Sequence, residues 1–262
     1  MLRALYSSAS GMESQQMNLD VIANNLANVN TTGFKKAKIE FQDLLYQTKR
    51  AAGAESGPGT QVPTSLQVGH GARPVSTAKI FTAGEIMSTG ERLDLAIHGN
   101  GFFKVTLADG TNAFTRDGGF KLDSTGQIVT SDGLPVTSFA GVTISPEATN
   151  VSISQTGIVS VTQNGTTSTA GSLVLSRFAN SAGLENIGAN LYRETPASGT
   201  EQTGEPGNAG MGTVQQGYLE LSNVKVVEEM VNLIKAQRAY EINSKAIQAA
   251  DEMMSMSNRL RG

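Results

Sequence analysis

Hydrophobic positions recur every seven residues at the two ends of this chain and not between them. Leu5, Met12, Leu19 and Leu26 form one such line, and Val226, Leu233, Tyr240, Ile247 and Met254 form the other. A sustained seven-residue repeat marks a helix that buries one face against a partner helix. Neither segment has a partner beside it in sequence, so each line predicts burial against the other, against copies of the chain, or against both. The first helix is predicted from about Leu2 to Asn28, with Gly33 beyond it as a stop signal. Gly11 costs it up to about 1 kcal/mol relative to Ala, which leaves it marginal alone. Asn24, Asn25, Asn28 and Asn30 crowd its last turns, where Asn either frays a helix or fixes its register through hydrogen bonds. The last helix is predicted from a cap at Ser222 or Asn223 to about Arg259. Glu228 and Glu229 early, with Arg259 and Arg261 late, suit its dipole. A helix of about 35 residues is roughly 50 Å long, too long to hide against a small β domain.

Between the helices the pattern changes. Phe34, Ile39, Phe41, Leu44, Leu45 and Tyr46 anchor a mixed stretch, after which Ala51 to Gly71 is rich in Gly, Pro, Ser, Thr and Gln and includes Gly57-Pro58-Gly59. Such a composition buries too little apolar surface to fold by itself and reads as a linker or as an arm ordered by its neighbours. From about Val75 to Leu191 short runs of β-formers alternate with turn dipeptides, among them Asn100-Gly101, Asp109-Gly110, Asp117-Gly118, Asp132-Gly133 and Asn164-Gly165. These predict tight hairpins in an antiparallel domain. A second polar stretch, Pro196 to Gly212, mirrors the first. The expected fold is α+β and multi-domain: terminal α-helices forming a coiled-coil-like pair, plus a central antiparallel β domain with extended connecting arms. The expected boundaries are 1–32 for the first helix, 33–74 for the arm, 75–195 for the β domain, 196–221 for the return connector and 222–262 for the last helix.

Composition narrows the function more than the fold. Of 262 residues 39% are apolar and 5% aromatic, with no Trp, so the core is expected to be thin and the body elongated. The formal charge is −3, with no basic run that would serve nucleic acid or an acidic membrane. No Cys is present, which excludes disulfides, zinc–thiolate sites and thiol nucleophiles. The start of the chain lacks the apolar run of a cleaved secretory signal, and no stretch approaches the ~20 apolar residues of a membrane span. Export, if it occurs, is expected without cleavage.

Candidate chemistry is equally sparse. His70 and His98 are the two histidines, and both sit where a turn or strand edge is expected. No Gly-x-Ser-x-Gly elbow supports a serine nucleophile. Gly99-Asn100-Gly101 is followed by a strand pattern, not by the helix of a dinucleotide loop. Asp94, Asp109, Asp117, Asp123 and Asp132 fall in or beside turns, where Asp bonds backbone, and lack the spacing of a calcium loop. No catalytic residue, cofactor or metal is assigned.

Three segments carry a family resemblance. Ala23-Asn24-Asn25-Leu26-Ala27-Asn28-Val29-Asn30-Thr31-Thr32-Gly33-Phe34-Lys35 resembles a signature of the flagellar rod and hook family of axial proteins. Gln237-Arg238-Ala239-Tyr240-Glu241 with Asn243-Ser244-Lys245 is similar to that family's C-terminal helix motif. Gly99-Asn100-Gly101-Phe102-Phe103 and Phe114-Thr115-Arg116-Asp117-Gly118 are similar to its middle. Chain length, Asp43 to Thr48 and Leu66 to Pro74 narrow the resemblance to the branch that builds the distal segment of the rod. The resemblance implies a non-enzymatic subunit of a helical homo-oligomer, with terminal helices in an inner tube, an arm around it and a β domain outside. Implied partners are proximal rod proteins, the hook protein, the flagellar export apparatus and, where an outer membrane exists, the P-ring and L-ring proteins. Neither nucleic acid nor membrane insertion is expected. On this reading Leu5, Met12, Leu19, Ile22, Leu26, Val226, Met230, Leu233, Tyr240, Ile247 and Met254 are the subunit-interface candidates. Another axial subunit, of the proximal rod or the hook, is the nearest alternative. A carbohydrate-binding β domain with coiled-coil oligomerisation is disfavoured by the few aromatics.

Overall fold

The computed structural model describes residues 2–57, 60–139, 141–145 and 148–259. Two compact units emerge, each gathered from separated stretches: Met1–Ala27, Ala37–Ala78 and Lys225–Gly262 in the first, Asn28–Lys36 and Lys79–Val224 in the second. The fold is α+β, with a helix at each end and antiparallel strands between.

In the first unit α1 (Leu2–Ala27) packs on α2 (Val226–Arg259). Glu228 and Glu229 lie in the first turn of α2 and Arg259 in its last, each of the sign that the helix dipole favours. Neither Ser222 nor Asn223 caps this helix, contrary to the sequence expectation, because α2 begins beyond both and the Asn223 amide is bonded elsewhere. Arg261 lies outside the described residues.

The same unit holds a nested ribbon. Its rungs are β1 (Ala37–Asp43) with β6 (Ala72–Lys79), β2 (Tyr46–Arg50) with β5 (Leu66–Gly69), and β3 (Glu55–Gly57) with β4 (Thr60–Gln61). The Ala51–Gly71 stretch is therefore not a free linker but is paired into strands. Its order comes from backbone pairing, including Gly53 and Val62 at 2.9 Å, and from polar rungs such as Gln67 to Thr48 at 3.1 Å and Ser76 to Glu40 at 3.0 Å. Composition measures burial, and this ribbon forms with little of it. Pro58 and Gly59 lie outside the described residues.

The second unit is built from antiparallel ladders. β7 (Ile86–Ser88) pairs with β21 (Tyr218–Glu220), and β8 (Leu95–His98) with β20 (Thr213–Gln216). A four-stranded sheet runs β17 (Glu185–Gly188), β18 (Leu191–Arg193), β10 (Asn112–Thr115), β9 (Phe103–Thr106). A three-stranded sheet joins β13 (Asn150–Ile153), β14 (Ile158–Gln163) and β15 (Thr166–Ser172). Shorter pairs are β11 (Lys121–Leu122) with β12 (Ile128–Val129) and β16 (Leu175–Arg177) with β19 (Gln202–Gly204). Through β19 the second polar stretch belongs to this unit, where Ser198 and Met211 are buried.

Alternation along the strands divides the interior in two. Phe103 and Ala113 enter a large aliphatic core with Leu95, Ile97, Val159 and Leu173, while their neighbours Phe102 and Phe114 enter an aromatic cluster with Phe178, Leu184 and Tyr192. Edge-to-face contacts at 4.7 Å between Phe114 and Phe178, and 5.2 Å between Phe81 and Tyr192, add about 0.5–1.5 kcal/mol each beyond burial. Asn164 and Gly165, at φ 52° and 77°, make the primed turn that joins β14 to β15. Asp117-Gly118 is no hairpin turn: a Cβ on Gly118 would lie 1.7 Å from the Leu95 carbonyl oxygen, so this glycine serves close backbone approach. From Ala148 to Ser176, the span holding β13–β15, the chain carries no charged residue.

Burial pushes the Tyr192 phenol up to about 12, against a smaller opposing pull from Arg116. An unfolded tyrosine releases its proton near pH 10. Between pH 10 and 12 the Tyr192 phenol ionises only in the unfolded chain, so its contribution to stability should fall as pH rises, by up to about 1.4 kcal/mol per pH unit and about 2.7 kcal/mol in all. Denaturant unfolding of wild type and Tyr192→Phe at pH 9 to 12 checks this. The variant should lose less, and parallel losses would contradict the assignment.

Candidate assembly surface

The inward face of α2 reads Glu229, Leu233, Ala236, Tyr240, Asn243, Ile247, Ala250, Met254, alternating by four and three residues. Glu229, Ala236 and Ala250 are buried, Leu233, Asn243, Ile247 and Met254 partly so, and Tyr240 is more open. Half of this seam is small or polar, which lets the helices approach closely. A Cβ on Gly11 of α1 would lie 2.9 Å from Asn243 Nδ2, and Asn25 Nδ2 donates to Glu229 Oε2 at 3.3 Å. As position advances along α1 from 11 to 25 it retreats along α2 from 243 to 229, so the pair is antiparallel.

The ribbon takes another side of α1. Ser14 Oγ donates to the Ala72 carbonyl at 3.4 Å, and a Cβ on Gly71 would fall 2.0 Å from Ser10 Oγ. Asn25 ties helix to ribbon: its Oδ1 accepts from Ala37 N–H at 2.9 Å and its Nδ2 donates to Ala37 C=O at 2.9 Å. Of the two roles open to the asparagines, Asn25 fixes register.

Of the sequence candidates, Ile22 is buried, and Leu5, Met12, Leu19, Leu26, Leu233, Ile247 and Met254 are partly buried. Val226, Met230 and Tyr240 are exposed. Met230 belongs to a face that the seven-residue lines do not contain. Val227, Met230, Val231 and Ile234 are 76%, 52%, 44% and 55% exposed and follow the i, i+3, i+4, i+7 spacing of a helical stripe. They project opposite Ala236, which with Ala250 is the most deeply buried of the seam. Ile242 farther along α2 and Tyr6 on α1 are also exposed. The signal for this stripe lies in the sequence, in phase opposition to the heptad line that masks it.

A different construction closes the second unit where the chain crosses into and out of it. Lys35, Glu220 and Arg116 are 0%, 1% and 3% exposed. Lys35 Nζ lies 2.5 Å from Glu220 Oε1 and donates to the Thr82 carbonyl at 2.8 Å. Arg116 reaches Glu220 Oε2 at 3.4 Å and the Gly99 carbonyl at 2.6 Å. Gly84 N–H donates to Glu220 Oε1 at 2.9 Å, and Gly33 N–H to the Glu220 carbonyl at 2.8 Å. Asn223 Oδ1 accepts from Lys36 N–H at 2.7 Å while its Nδ2 donates to the Ile80 carbonyl at 2.8 Å. Burial pushes the Lys35 ammonium and Arg116 guanidinium down from their ordinary ranges, and Glu220 opposes this in both. Lys35 and Arg116 stand in the family-like motifs. Their joint role was hidden because the third member, Glu220, lies far away in sequence.

Among the described residues no cluster of three or more His, Cys, Asp or Glu could hold a metal ion, and no described helix is long and apolar enough to cross a membrane. The arrangement offers surfaces and braces.

Three family models match the chain. They are "Flagella basal body rod protein" over residues 5–35, "Flagellar hook protein FlgE/F/G D1 domain" over 96–161 and "Flagellar basal body rod FlgEFG protein C-terminal" over 215–260. The flagellar basal-body rod protein FlgG of Borreliella burgdorferi is 51% identical, across 100% of this chain and 99% of its own. FlgG of Buchnera aphidicola subsp. Schizaphis graminum is 49% identical, across 99% and 100%. The flagellar basal-body rod protein FlgF of Caulobacter vibrioides is 36% identical, across 95% and 94%.

Asn25→Ala should strand the Ala37 peptide groups and destabilise the first unit by about 1–3 kcal/mol. Amide exchange should accelerate in α1 and β1 while the second unit keeps its protection; unchanged exchange in α1 would remove Asn25 from this role.

Proposed function

This chain belongs to the flagellar basal-body rod protein family, and from that we propose that it builds the distal segment of the rod by helical self-assembly through its helix pair. It is a structural subunit of the flagellar basal body and serves motility. The observation that carries the assembly reading is the Val227, Met230, Val231 and Ile234 stripe. The opposite side of α2 is already occupied by α1, so this stripe is left for a partner outside the helix pair, which we read as another copy of the chain. Covering side chains of this kind stabilises by about 1.5–3 kcal/mol each when complete, multiplied along a polymer. The placement in the distal segment is supported by identities near 50% with FlgG proteins against 36% with FlgF.

In this reading the sequence candidates divide by role. Leu5, Met12, Leu19, Ile22, Leu26, Leu233, Tyr240, Ile247 and Met254 serve packing in and around the helix pair, whereas Met230 belongs to the outward stripe and the exposed Val226 flanks it. The ribbon, with Leu45, Tyr46, Leu66 and Val75 exposed, contacts neighbouring subunits and stiffens the shaft. The polymer transmits torque from motor to hook without catalysis. Its neighbours are proximal rod proteins, the hook protein and, where an outer membrane exists, the P-ring and L-ring proteins, after delivery by the flagellar export apparatus.

Concentrated protein should form fibres visible by electron microscopy. Val227→Asp with Ile234→Asp should abolish them while leaving monomer helicity and melting within experimental error, since both positions are exposed. Leu233→Asp should lower helicity as well. Normal fibres from the double variant would rule out this face.

A further inference from the structure

The second unit contains the chain segments 28–36 and 79–224, and the last of these to be made, around Glu220 to Asn223, supplies most of the groups that close it. Glu220 faces both buried cations. Its backbone carbonyl holds Gly33, its carboxylate holds Gly84, and Asn223 spans Lys36 and Ile80. Lys35 and Glu220 are 185 residues apart and Arg116 and Glu220 104 apart. Contacts of such range close late, because the intervening chain must be ordered first.

We propose that Glu220 is a completion latch: the second unit stays open until residues 220–223 arrive, so that a chain built from its N-terminus closes this unit only after all of the unit's own segments have been made. Before Glu220 docks, folding the interior around Lys35 and Arg116 would bury two cations without a counter-charge, and buried unpaired charge is the strongly unfavourable case. The nearby Thr82 and Gly99 carbonyls accept hydrogen bonds but carry no charge to offset theirs. The latch deepens the assembly reading, since a truncated chain that lacks it presents no closed second unit and is excluded from the polymer. It is nevertheless read on the monomer, so failed fibre formation and a failed latch are separate outcomes.

The test uses the full chain, with folding and unfolding of the second unit followed by amide exchange in β8 and β20. Glu220→Gln should raise the unfolding rate on the order of 100-fold and leave refolding within about twofold, as expected for an interaction formed after the transition state. Adding Lys35→Met to Glu220→Gln should recover at least about tenfold of that loss, because it removes a stranded cation. A packing role for Glu220 would not be rescued in this way. If Glu220→Gln does not fold, the double variant should fold. Three results would overturn the proposal: wild-type rates in Glu220→Gln, a loss carried wholly by slower refolding, or a double variant no better than the single.

Discussion

The second unit depends on one carboxylate surrounded by protein. Glu220, Lys35 and Arg116 are all withdrawn from water, and removing three charges from solvent is unfavourable by several kcal/mol for each ion before any pairing. Coulomb attraction offsets this only when the geometry is good and the remaining hydrogen-bonding positions are filled. Here backbone groups fill many of them: Gly84 on the carboxylate, Thr82 on the ammonium, Gly99 on the guanidinium. The aliphatic core around Phe103 and Leu95 supplies apolar burial, as it does in most domains. What the ion cluster adds is a cost for misalignment, since burying Lys35 or Arg116 without Glu220 leaves an unpaired charge.

The first unit uses the opposite material. Half of its helix seam is made of small or polar residues, with Gly11 against Asn243 and Asn25 against Glu229. Its ribbon is held by peptide hydrogen bonds with its side chains mostly in water. A second set of apolar side chains, Val227, Met230, Val231 and Ile234, is displayed on the far side of α2. Such a contiguous exposed apolar stripe is the kind of surface that marks an interaction site.

This division explains what could be read from the chain alone. The helices, their lengths and the antiparallel β region follow from periodicity and turn chemistry, which are local. Half of the α2 seam was visible because Leu233, Tyr240, Ile247 and Met254 are large; the alternate positions Glu229, Ala236, Asn243 and Ala250 carry no hydrophobic signal. The ribbon escaped notice because backbone pairing leaves no compositional trace. Asp117-Gly118 resembled a turn because sequence does not distinguish a glycine needed for its dihedral angles from one needed for its missing side chain. Asn223 resembled a helix cap for a similar reason, its amide being equally suited to bracing Lys36 and Ile80. The ion cluster was out of reach because pairing between positions 35, 116 and 220 is a property of the completed fold.

The uncharged stretch from Ala148 to Ser176 has a consequence of its own. Surfaces rich in Lys and Glu change their interactions with dissolved ions, because salt shortens the reach of every charge they carry. The threonine and serine side chains of β14 and β15, among them Thr162 against Thr167 at 3.1 Å, have no charge to be screened. Whatever lies against this hairpin meets a surface that brings no charge of its own, so the hairpin's contribution to that contact contains no term that charge screening can weaken.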